Sequence, residues 1–259
     1  MNIPHFDGYI FDLDGTVYLG KAALPTAIET IITLRETGKR VIFLSNNPTQ
    51  TRAIYAAKLT QMGLPTIDEQ VVNSSFVMVR WLLHEAPGCR VFVVGEQPLK
   101  DELTAAGFRL VEHAAEIDFV IASFDRTLVY SKLQIAFDAI RAGARFVATN
   151  ADRYCPVPGG GEPDAAAVIA AIEACTDTRI EVVVGKPSAI MVQTIADMLQ
   201  LPMSSCIMVG DRLETDIAMG HAAGMFTALP LTGATSREML ATSTIQPDYV
   251  LERLADLLE

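Results

Sequence analysis

Short apolar runs alternate with amphipathic segments along most of the 259-residue chain. The runs lack the polar–apolar alternation of a half-exposed strand, so we interpret them as strands buried on both faces. The segments between them have helical periodicity, and several end near a glycine. This alternation predicts an α/β fold with a mainly parallel sheet between layers of helices. The predicted strands are residues 9–13, 40–45, 90–94, 119–123, 145–149, 181–184, 206–209 and 226–229. The predicted helices are residues 25–36, 51–62, 75–84, 98–106, 131–142, 163–174, 188–199 and 214–222.

The number of predicted strands is larger than one modest sheet needs. We therefore expect residues 78–182 to form their own α/β unit, inserted between the two halves of a core that is made of residues 1–77 and 183–259. The boundaries are drawn there because the most polar motifs lie just outside the inserted stretch.

Composition excludes some classes of partner. Half of the residues are hydrophobic, which allows a large core, and the formal net charge is −11. General nucleic-acid binders and binders of anionic membranes carry a basic surface, so we expect neither partner. The chain has no apolar run of 18 residues and no signal-peptide pattern. Its four cysteines form no C-x-x-C pair, which is typical of reduced thiols in a cytoplasmic protein.

Four predicted strands are followed by short polar stretches. These stretches cover residues 12–16 (DLDGT), 45–47 (SNN), 185–187 (GKP) and 210–216 (GDRLETD). Because ligands of open parallel sheets bind at the carboxyl ends of the strands, we expect the four stretches to lie at one edge of the core sheet.

The carboxylates of these stretches predict a metal site. Asp12 and Asp14 are two residues apart, so on a continued strand they share one face, and we expect Asp211 to join them from a neighbouring strand. Two carboxylates about 4 Å apart repel each other by about 4 kcal/mol at an effective dielectric constant near 20. A cation that prefers oxygen ligands relieves this repulsion, and Mg²⁺ commonly binds one or two carboxylates together with a phosphate.

The remaining polar groups suit a phosphoryl group. Lys186 supplies a positive charge, and the hydroxyl and amide groups that surround it in this interpretation belong to Thr16, Ser45, Asn46 and Asn47. Together with Mg²⁺, Lys186 explains how an acidic protein binds an anionic substrate.

The pair of aspartates predicts a two-step reaction. Asp12, which comes directly off the strand, is predicted to attack phosphorus and to become an aspartyl-phosphate. Asp14, which lies on the turn with Gly15, is predicted to protonate the leaving oxygen and then to deprotonate the water that cleaves the intermediate.

The four stretches resemble the signatures of the haloacid dehalogenase superfamily. DLDGT matches the D-x-D-G-T motif, Ser45 and Lys186 match the second and third motifs, and GDRLETD matches G-D-x-x-x-x-D. The stretch between Ser45 and Lys186, including ATNADRYCP, resembles the C2-type cap of subfamily IIA, the 4-nitrophenylphosphatase (NagD-like) branch. The resemblance implies a Rossmann-like core with an inserted α/β cap, Mg²⁺, and phosphate-ester hydrolysis through an aspartyl-phosphate.

The resemblance also implies roles for single residues. Mg²⁺ would be held by Asp12, by the backbone carbonyl of Asp14 and by Asp211, with Asp216 supporting the site from behind or through a metal-bound water. The phosphate would be held by Ser45, Asn46 and Lys186. In the cap, we interpret Asp152 and Arg153 as contacts to the leaving group.

These residues predict a Mg²⁺-dependent phosphomonoester hydrolase that acts on small phosphorylated metabolites, with sugar phosphates favoured and nucleoside monophosphates second. Three alternatives stay open: a phosphotransferase or mutase, a phospho-accepting protein similar to a signalling receiver, and a binding module without activity. The apolar helices of the inserted unit also leave a homo-oligomer that forms through the cap open.

Overall fold

The computed structural model describes residues 3–157 and 159–259. The strands are β1 (Gly8–Asp12), β2 (Tyr18–Leu19), β3 (Ala22–Ala23), β4 (Arg40–Ser45), β5 (Val71–Asn73), β6 (Arg90–Val94), β7 (Arg109–Leu110), β8 (Phe119–Ala122), β9 (Arg145–Ala148), β10 (Tyr154–Val157), β11 (Gly160–Pro163), β12 (Val182–Val183), β13 (Cys206–Val209), β14 (Phe226–Pro230) and β15 (Tyr249–Leu251). The α-helices are α1 (Ala27–Glu36), α2 (Arg52–Gln61), α3 (Ser74–Glu85), α4 (Gln97–Ala105), α5 (Tyr130–Arg141), α6 (Ala165–Thr176), α7 (Ala189–Leu199), α8 (Ala218–Ala222) and α9 (Arg237–Thr242). Among the described residues, no helix has the length and apolar character needed to cross a membrane.

The chain forms two compact units. The first contains the described residues of Met1–Ser45, Arg52–Val72 and Lys186–Glu259. The second contains the described residues of Asn46–Thr51 and Asn73–Gly185.

A six-stranded sheet with the order β15-β14-β13-β1-β4-β5 forms the centre of the first unit. β1 is parallel to both of its neighbours, with Asp12 opposite Leu44 of β4 and Phe11 opposite Val209 of β13. β1, β4 and β13 are almost entirely buried, because their side chains form a core with apolar residues of α1 and α2. This register brings the carboxyl ends of the three strands to the same edge of the sheet.

The second unit contains a five-stranded parallel sheet with the order β12-β9-β8-β6-β7 and an antiparallel hairpin of β10 and β11. Its core is formed by β6, β8, β9, α5 and α6. The Asn46–Thr51 segment belongs to this unit because its carbonyl groups are bound there: the Ser74 hydroxyl donates to the Asn46 carbonyl at 2.6 Å, and the Asn73 amide donates to the Gln50 carbonyl at 2.9 Å.

The unit boundaries differ from the expected 77/78 and 182/183. A boundary after residue 77 would divide α3, whereas the structure places the change before Asn73, the residue that caps this helix. The second boundary lies where the chain re-enters the first unit. The backbone N–H groups of Val184 and Gly185 still bind the carbonyls of Ala148 and Thr149, so the second unit extends to residue 185.

Most predicted elements are present with ends that differ by one or two residues. The glycine-rich stretch 159–161 supplies the first two residues of β11, since the antiparallel hairpin pairs Gly160 and Gly161 with β10. The helix expected at 214–222 starts as a π-helical turn at Leu213–Ile217 and continues as α8.

Candidate active site

Three buried carboxylates meet at the carboxyl-terminal edge of the first unit's sheet. Asp12 is the last residue of β1, while Asp211 and Asp216 follow β13. One oxygen from each carboxylate lies within 4.8 Å of the others. The predicted meeting of Asp12 and Asp211 is therefore observed, although these residues are about 200 positions apart in the chain.

Lys186 lies between two of these carboxylates. Its Nζ donates to Asp12 Oδ1 at 2.5 Å and to Asp216 Oδ1 at 2.7 Å. Burial lowers the pKa of Lys186, but the two carboxylates outweigh this effect and raise the pKa above its ordinary value. Burial raises the pKa of Asp12 well above that of an ordinary aspartate, even though Lys186 acts in the opposite direction. Three carboxylates and one ammonium group leave two negative charges when all are ionised.

Asp211 has one oxygen that the described residues do not satisfy. Its Oδ2 accepts a hydrogen bond from the Ala234 backbone N–H at 2.5 Å, and the Thr235 hydroxyl binds its backbone carbonyl at 2.6 Å. Its Oδ1 is buried without a hydrogen-bond partner among the described residues. Burial, followed by the charge of Asp216, raises the pKa of Asp211 to about 6. A buried carboxylate oxygen without a partner is costly unless a ligand or an ion satisfies it.

Three glycines leave room for the carboxylates of Asp211 and Asp216. A Cβ at Gly210 would lie 2.4 Å from Asp216 Cγ, and a Cβ at Gly233 would lie 2.0 Å from Asp211 Oδ2. Gly15 has φ of +87°, and a Cβ there would also meet Asp211. The packing of backbone against carboxylate therefore requires glycine at all three positions.

Asp14 differs from the expectation. β1 ends at Asp12, so the strand geometry that would bring Asp12 and Asp14 to one face does not continue to residue 14. The Asp14 carboxylate is not a member of the cluster, whose third carboxylate is Asp216, and its Oδ2 accepts a hydrogen bond from the Tyr18 hydroxyl at 3.4 Å. Burial raises the pKa of Asp14, and Lys58 partly offsets the increase. The role of the Asp14 backbone carbonyl as a metal ligand stays a prediction.

Ser45 and Thr16 are both buried near the ends of strands in the first unit. Ser45 is the last residue of β4, and its hydroxyl contacts the Tyr55 hydroxyl at 3.4 Å. Thr16 follows β1, and its Oγ1 is buried without a hydrogen-bond partner among the described residues. A buried hydroxyl without a partner is available to an oxygen ligand such as a phosphate.

Asn46 and Asn47 lie in a segment of the second unit. The Asn46 side chain donates to Asp152 Oδ1 at 3.2 Å. The Asn47 side chain donates to Cys155 Sγ at 3.7 Å, and its oxygen accepts from the backbone and hydroxyl of Thr49. These contacts engage both amides within the second unit.

The predicted cap residues Asp152 and Arg153 lie in a turn that α6 supports. Asp152 is half-buried and Arg153 is exposed. The Asp152 carbonyl accepts from the Ala166 N–H at 3.0 Å, and the Arg153 carbonyl accepts from the Asp164 N–H at 3.1 Å. The structure therefore brings Asp152 close to Asn46, while Arg153 projects from the same turn.

Sequence reasoning missed the loop after β14. In addition to its contacts with Asp211, this loop places the Thr232 hydroxyl 2.7 Å from the Gly15 carbonyl. A signal was present, since the polar stretch TGATS follows an apolar strand at the same sheet edge as the other motifs. Tyr18 was also missed, because it belongs to the short hairpin of β2 and β3 and reads as an ordinary core residue.

The donor set fits a hard divalent cation. The cluster offers only carboxylate oxygens, it has two uncompensated negative charges when all of its groups are ionised, and Asp211 Oδ1 has no partner among the described residues. These are the properties that Mg²⁺ requires of a protein site, whereas a transition metal such as zinc would favour histidine or cysteine ligands.

Comparisons with known proteins agree with this geometry. Residues 9–109 match the family model for haloacid dehalogenase-like hydrolases, and residues 183–257 match a HAD-hydrolase-like model. The sugar-phosphatase AraL of Bacillus subtilis is 40% identical over 250 residues, which cover 96% of this chain and 91% of the relative. The 5'-nucleotidase YutF of the same species is 32% identical over 251 residues, which cover 97% of each chain.

A solved structure of a relative has the same fold over nearly the whole chain. The p-nitrophenyl phosphatase from Archaeoglobus fulgidus is 34% identical and aligns with a TM-score of 0.93 over 98% of this chain and 99% of that one. The predicted family and the predicted fold class, a Rossmann-like parallel-sheet core with an inserted α/β cap, are confirmed. The chain therefore belongs to the haloacid dehalogenase-like hydrolases, in the branch of the 4-nitrophenylphosphatases, and it is a phosphatase.

Proposed function

We propose that the protein is a Mg²⁺-dependent phosphomonoester hydrolase that acts on small phosphorylated metabolites through an aspartyl-phosphate at Asp12. The observation that carries this proposal is the buried Asp12–Lys186–Asp216 arrangement beside the unsatisfied Asp211 Oδ1. This arrangement combines a carboxylate nucleophile, a positive charge and an unfilled oxygen ligand at one sheet edge.

Asp12 is the best nucleophile among the clustered carboxylates. Its side chain is 11% exposed, while the side chain of Asp216 is fully buried. Lys186 binds Asp12 Oδ1, which orients the carboxylate and limits its rotation. We infer that the other oxygen attacks phosphorus, and that Asp216 keeps Lys186 in place.

Asp14 is the proposed proton donor and acceptor. It follows the nucleophile by two residues but lies outside the cluster, so it does not compete with Asp12 for Lys186. Because burial raises the pKa of Asp14, its protonated form is favoured more than that of an ordinary aspartate. We infer that Asp14 protonates the leaving oxygen in the first step and accepts a proton from the attacking water in the second.

The metal and the phosphate would share the residues around Asp12. Asp12, Asp211 and the Asp14 carbonyl would hold Mg²⁺, with Asp216 in support. When bound, Mg²⁺ supplies positive charge that offsets the charge of the phosphoryl group. Lys186 supplies a second positive charge, and the proposed donors to the phosphoryl oxygens are Thr16, Ser45, Asn46 and Asn47. The Thr16 hydroxyl, which is buried without a partner in the described part of the chain, supports the role of Thr16 in this set.

Sugar phosphates are the favoured substrates. The turn with Asp152 and Arg153 offers charged and hydrogen-bonding groups, and a relative that is 40% identical is named a sugar-phosphatase. Nucleoside monophosphates are the second candidate class, which a relative named a 5'-nucleotidase supports. We expected residues 78–182 to form the cap; with the boundaries that the structure gives, we propose that Asn73–Gly185 read the leaving group and that the first unit performs the chemistry.

A phosphate-release screen tests the proposed function. Purified protein is incubated with Mg²⁺ or with a chelator, over a panel of sugar phosphates and nucleoside monophosphates, and Asp12→Asn serves as the blank. We expect Mg²⁺-dependent phosphate release that Asp12→Asn abolishes. Phosphate release by Asp12→Asn near the wild-type rate would refute the nucleophile assignment.

The alternatives predict different products. A phosphotransferase or mutase would move the phosphoryl group to a second sugar, so a phosphorylated acceptor would form in place of free phosphate. A receiver-like protein would accumulate a long-lived phosphorylated form without turnover, and a binding module would bind the esters without cleaving them. The relatives named a sugar-phosphatase and a p-nitrophenyl phosphatase favour hydrolysis over these three outcomes.

Two further expectations belong to this proposal. A cytoplasmic location agrees with the four cysteines, all in the described part of the chain, which form no disulfide.

A homo-oligomer that forms through the cap needs exposed apolar side chains. Ile140 of α5 is buried in the core of the second unit, so the exposed Leu128, Val129 and Tyr130 are the better candidates for an interface. Sedimentation of wild-type protein and of Tyr130→Ser tests this expectation.

A further inference from the structure

The turn after β1 places a tyrosine opposite Asp14. The backbone N–H groups of Val17 and Tyr18 bind the Leu13 carbonyl at 2.9 and 3.2 Å, and the Gly15 N–H binds the Tyr18 carbonyl at 2.8 Å. The chain therefore makes one tight turn after Leu13, and Tyr18 pairs with Asp14 through an isolated parallel β-bridge. A tight backbone turn of this kind sets the distance between the two side chains.

The Tyr18 side chain is held more firmly than the carboxylate that it contacts. Tyr18 is fully buried in the core of the first unit, and the ammonium group of Lys58 lies 3.4 Å from the centre of its ring. Asp14 is half-buried and follows the end of the strand. In the part of the chain that the structure describes, the Tyr18 hydroxyl is the only hydrogen-bond partner of the Asp14 carboxylate.

We propose that Tyr18 is a positioning residue for Asp14: its hydroxyl, aimed from the core, holds the Asp14 carboxylate in the orientation that proton transfer to the leaving group requires. The inference rests on the proposed function and adds to it a residue outside the four signature stretches. Tyr18 occupies one oxygen, Oδ2, by donating a hydrogen bond, which leaves Oδ1 to carry the transferred proton. Lys58 stabilises the ring through a cation–π contact, so the hydroxyl stays in place.

The dependence of the rate on the leaving group separates positioning from a structural role. p-Nitrophenolate is a stable leaving group that departs without a proton, whereas an alkoxide leaving group needs general-acid assistance. We expect Tyr18→Phe, which removes one oxygen and keeps the ring, to lower kcat/KM for glycerol 1-phosphate about tenfold, the effect of one hydrogen bond. We expect less than a twofold change for p-nitrophenyl phosphate.

Two further variants sharpen the test. Tyr9→Phe is the matched control, since Tyr9 is also fully buried in the same core and its hydroxyl accepts a hydrogen bond from the Phe6 N–H. It should change kcat/KM for both esters by less than twofold. In an Asp14→Ala background, Tyr18→Phe should have no further effect on either ester, because a residue that acts through Asp14 cannot act without it.

An equal loss for both esters, no loss for either, or an undiminished effect of Tyr18→Phe in the Asp14→Ala background would overturn the inference. Failure of the proposed function has a different signature, since wild-type protein would then release phosphate from neither ester. That result would overturn both proposals. The melting temperature of each variant shows whether a lost activity reflects lost folding.

Discussion

At the scale of single residues, the site depends on one ammonium group among three carboxylates. Lys186 contacts Asp12 and Asp216 in a region where all four side chains are buried or nearly so. Breaking a buried ion pair leaves an uncompensated charge, which costs far more than the loss of a surface pair. Lys186 therefore supports the folded state as well as the proposed binding of phosphate.

We predict that Lys186→Met lowers the free energy of unfolding by about 3–5 kcal/mol when a chelator is present. The reason is that Asp12 and Asp216 lose their shared partner and must either remain charged or take up a proton. Urea unfolding measures the change, and Lys21→Met, at an exposed position, is the control. A loss of less than about 1 kcal/mol would show that the ion pairs contribute little to stability.

A second residue-scale prediction concerns Cys89. Burial, with a smaller contribution from Asp118, raises the pKa of the Cys89 thiol to about 11. An ordinary thiol has a pKa of about 8.5, so at pH 8 Cys89 has on the order of 200-fold less reactive thiolate. We expect alkylation of Cys89 to lag that of the exposed Cys175 by at least this factor, and to accelerate as the pH rises towards 11. Peptide mass spectrometry after a timed pulse of iodoacetamide measures both rates, and similar rates at pH 8 would contradict the prediction.

At the scale of elements, α3 begins where the chain enters Asn73–Gly185, the long part of the second unit. Its N-cap, Asn73, accepts a hydrogen bond from the Phe76 N–H at 2.9 Å and donates one to the Gln50 carbonyl at 2.9 Å. One side chain therefore starts the helix and also binds the Asn46–Thr51 segment that precedes α2.

We predict that Asn73→Ala lowers the free energy of unfolding by about 1–2 kcal/mol, the usual effect of losing an N-cap. Asn73→Asp keeps the acceptor for Phe76 but loses the donor for Gln50, so it should recover part of that loss. Urea denaturation compares the three proteins. Equal stability of Asn73→Ala and wild type would show that water replaces both bonds.

The loop that follows β13 leads to another element-scale prediction. Gly210→Ala would place a Cβ 2.4 Å from Asp216 Cγ, so Asp216 must move away from Lys186. We expect a loss of about 1–3 kcal/mol of stability together with at least a tenfold fall in kcat for phosphate release. Gly38→Ala is the control because the space around Gly38 is open, and only its φ of +79° opposes a side chain. Unchanged kcat in Gly210→Ala would contradict the positioning of Lys186 by Asp216.

At the scale of the whole molecule, the buried strands were the most predictable part of the fold. The bounds predicted for residues 40–45, 90–94 and 206–209 match β4, β6 and β13 without error. These strands lie inside their sheets, so burial on both faces gives them continuous apolar runs. The short strands β5, β7 and β15 were missed, because two or three residues carry no period and their pairing depends on neighbours remote in the chain.

The residues of the candidate site were predictable where they follow buried strands of the sheet. The motifs located Asp12, Lys186 and Asp211, because a parallel sheet brings the ends of its strands together whatever their separation in the chain. The sequence did not show that Asp216, rather than Asp14, supplies the third carboxylate of the cluster. This difference depends on β1 ending at Asp12 and on the turn after β13. The engagement of Asn46 and Asn47 in the second unit depends on where one loop packs, which no local pattern encodes.

The measurement that tests the account most directly is the location of the phosphoryl group during turnover. Protein mixed with Mg²⁺ and p-nitrophenyl phosphate is quenched in acid within milliseconds, the acyl-phosphate is reduced with borohydride, and the peptides are identified by mass spectrometry. We predict substrate-dependent reduction at Asp12, none at Asp14 or Asp211, and none in Asp12→Asn. Reduction at another carboxylate, or steady turnover by Asp12→Asn, would contradict the central claim that Asp12 is the nucleophile.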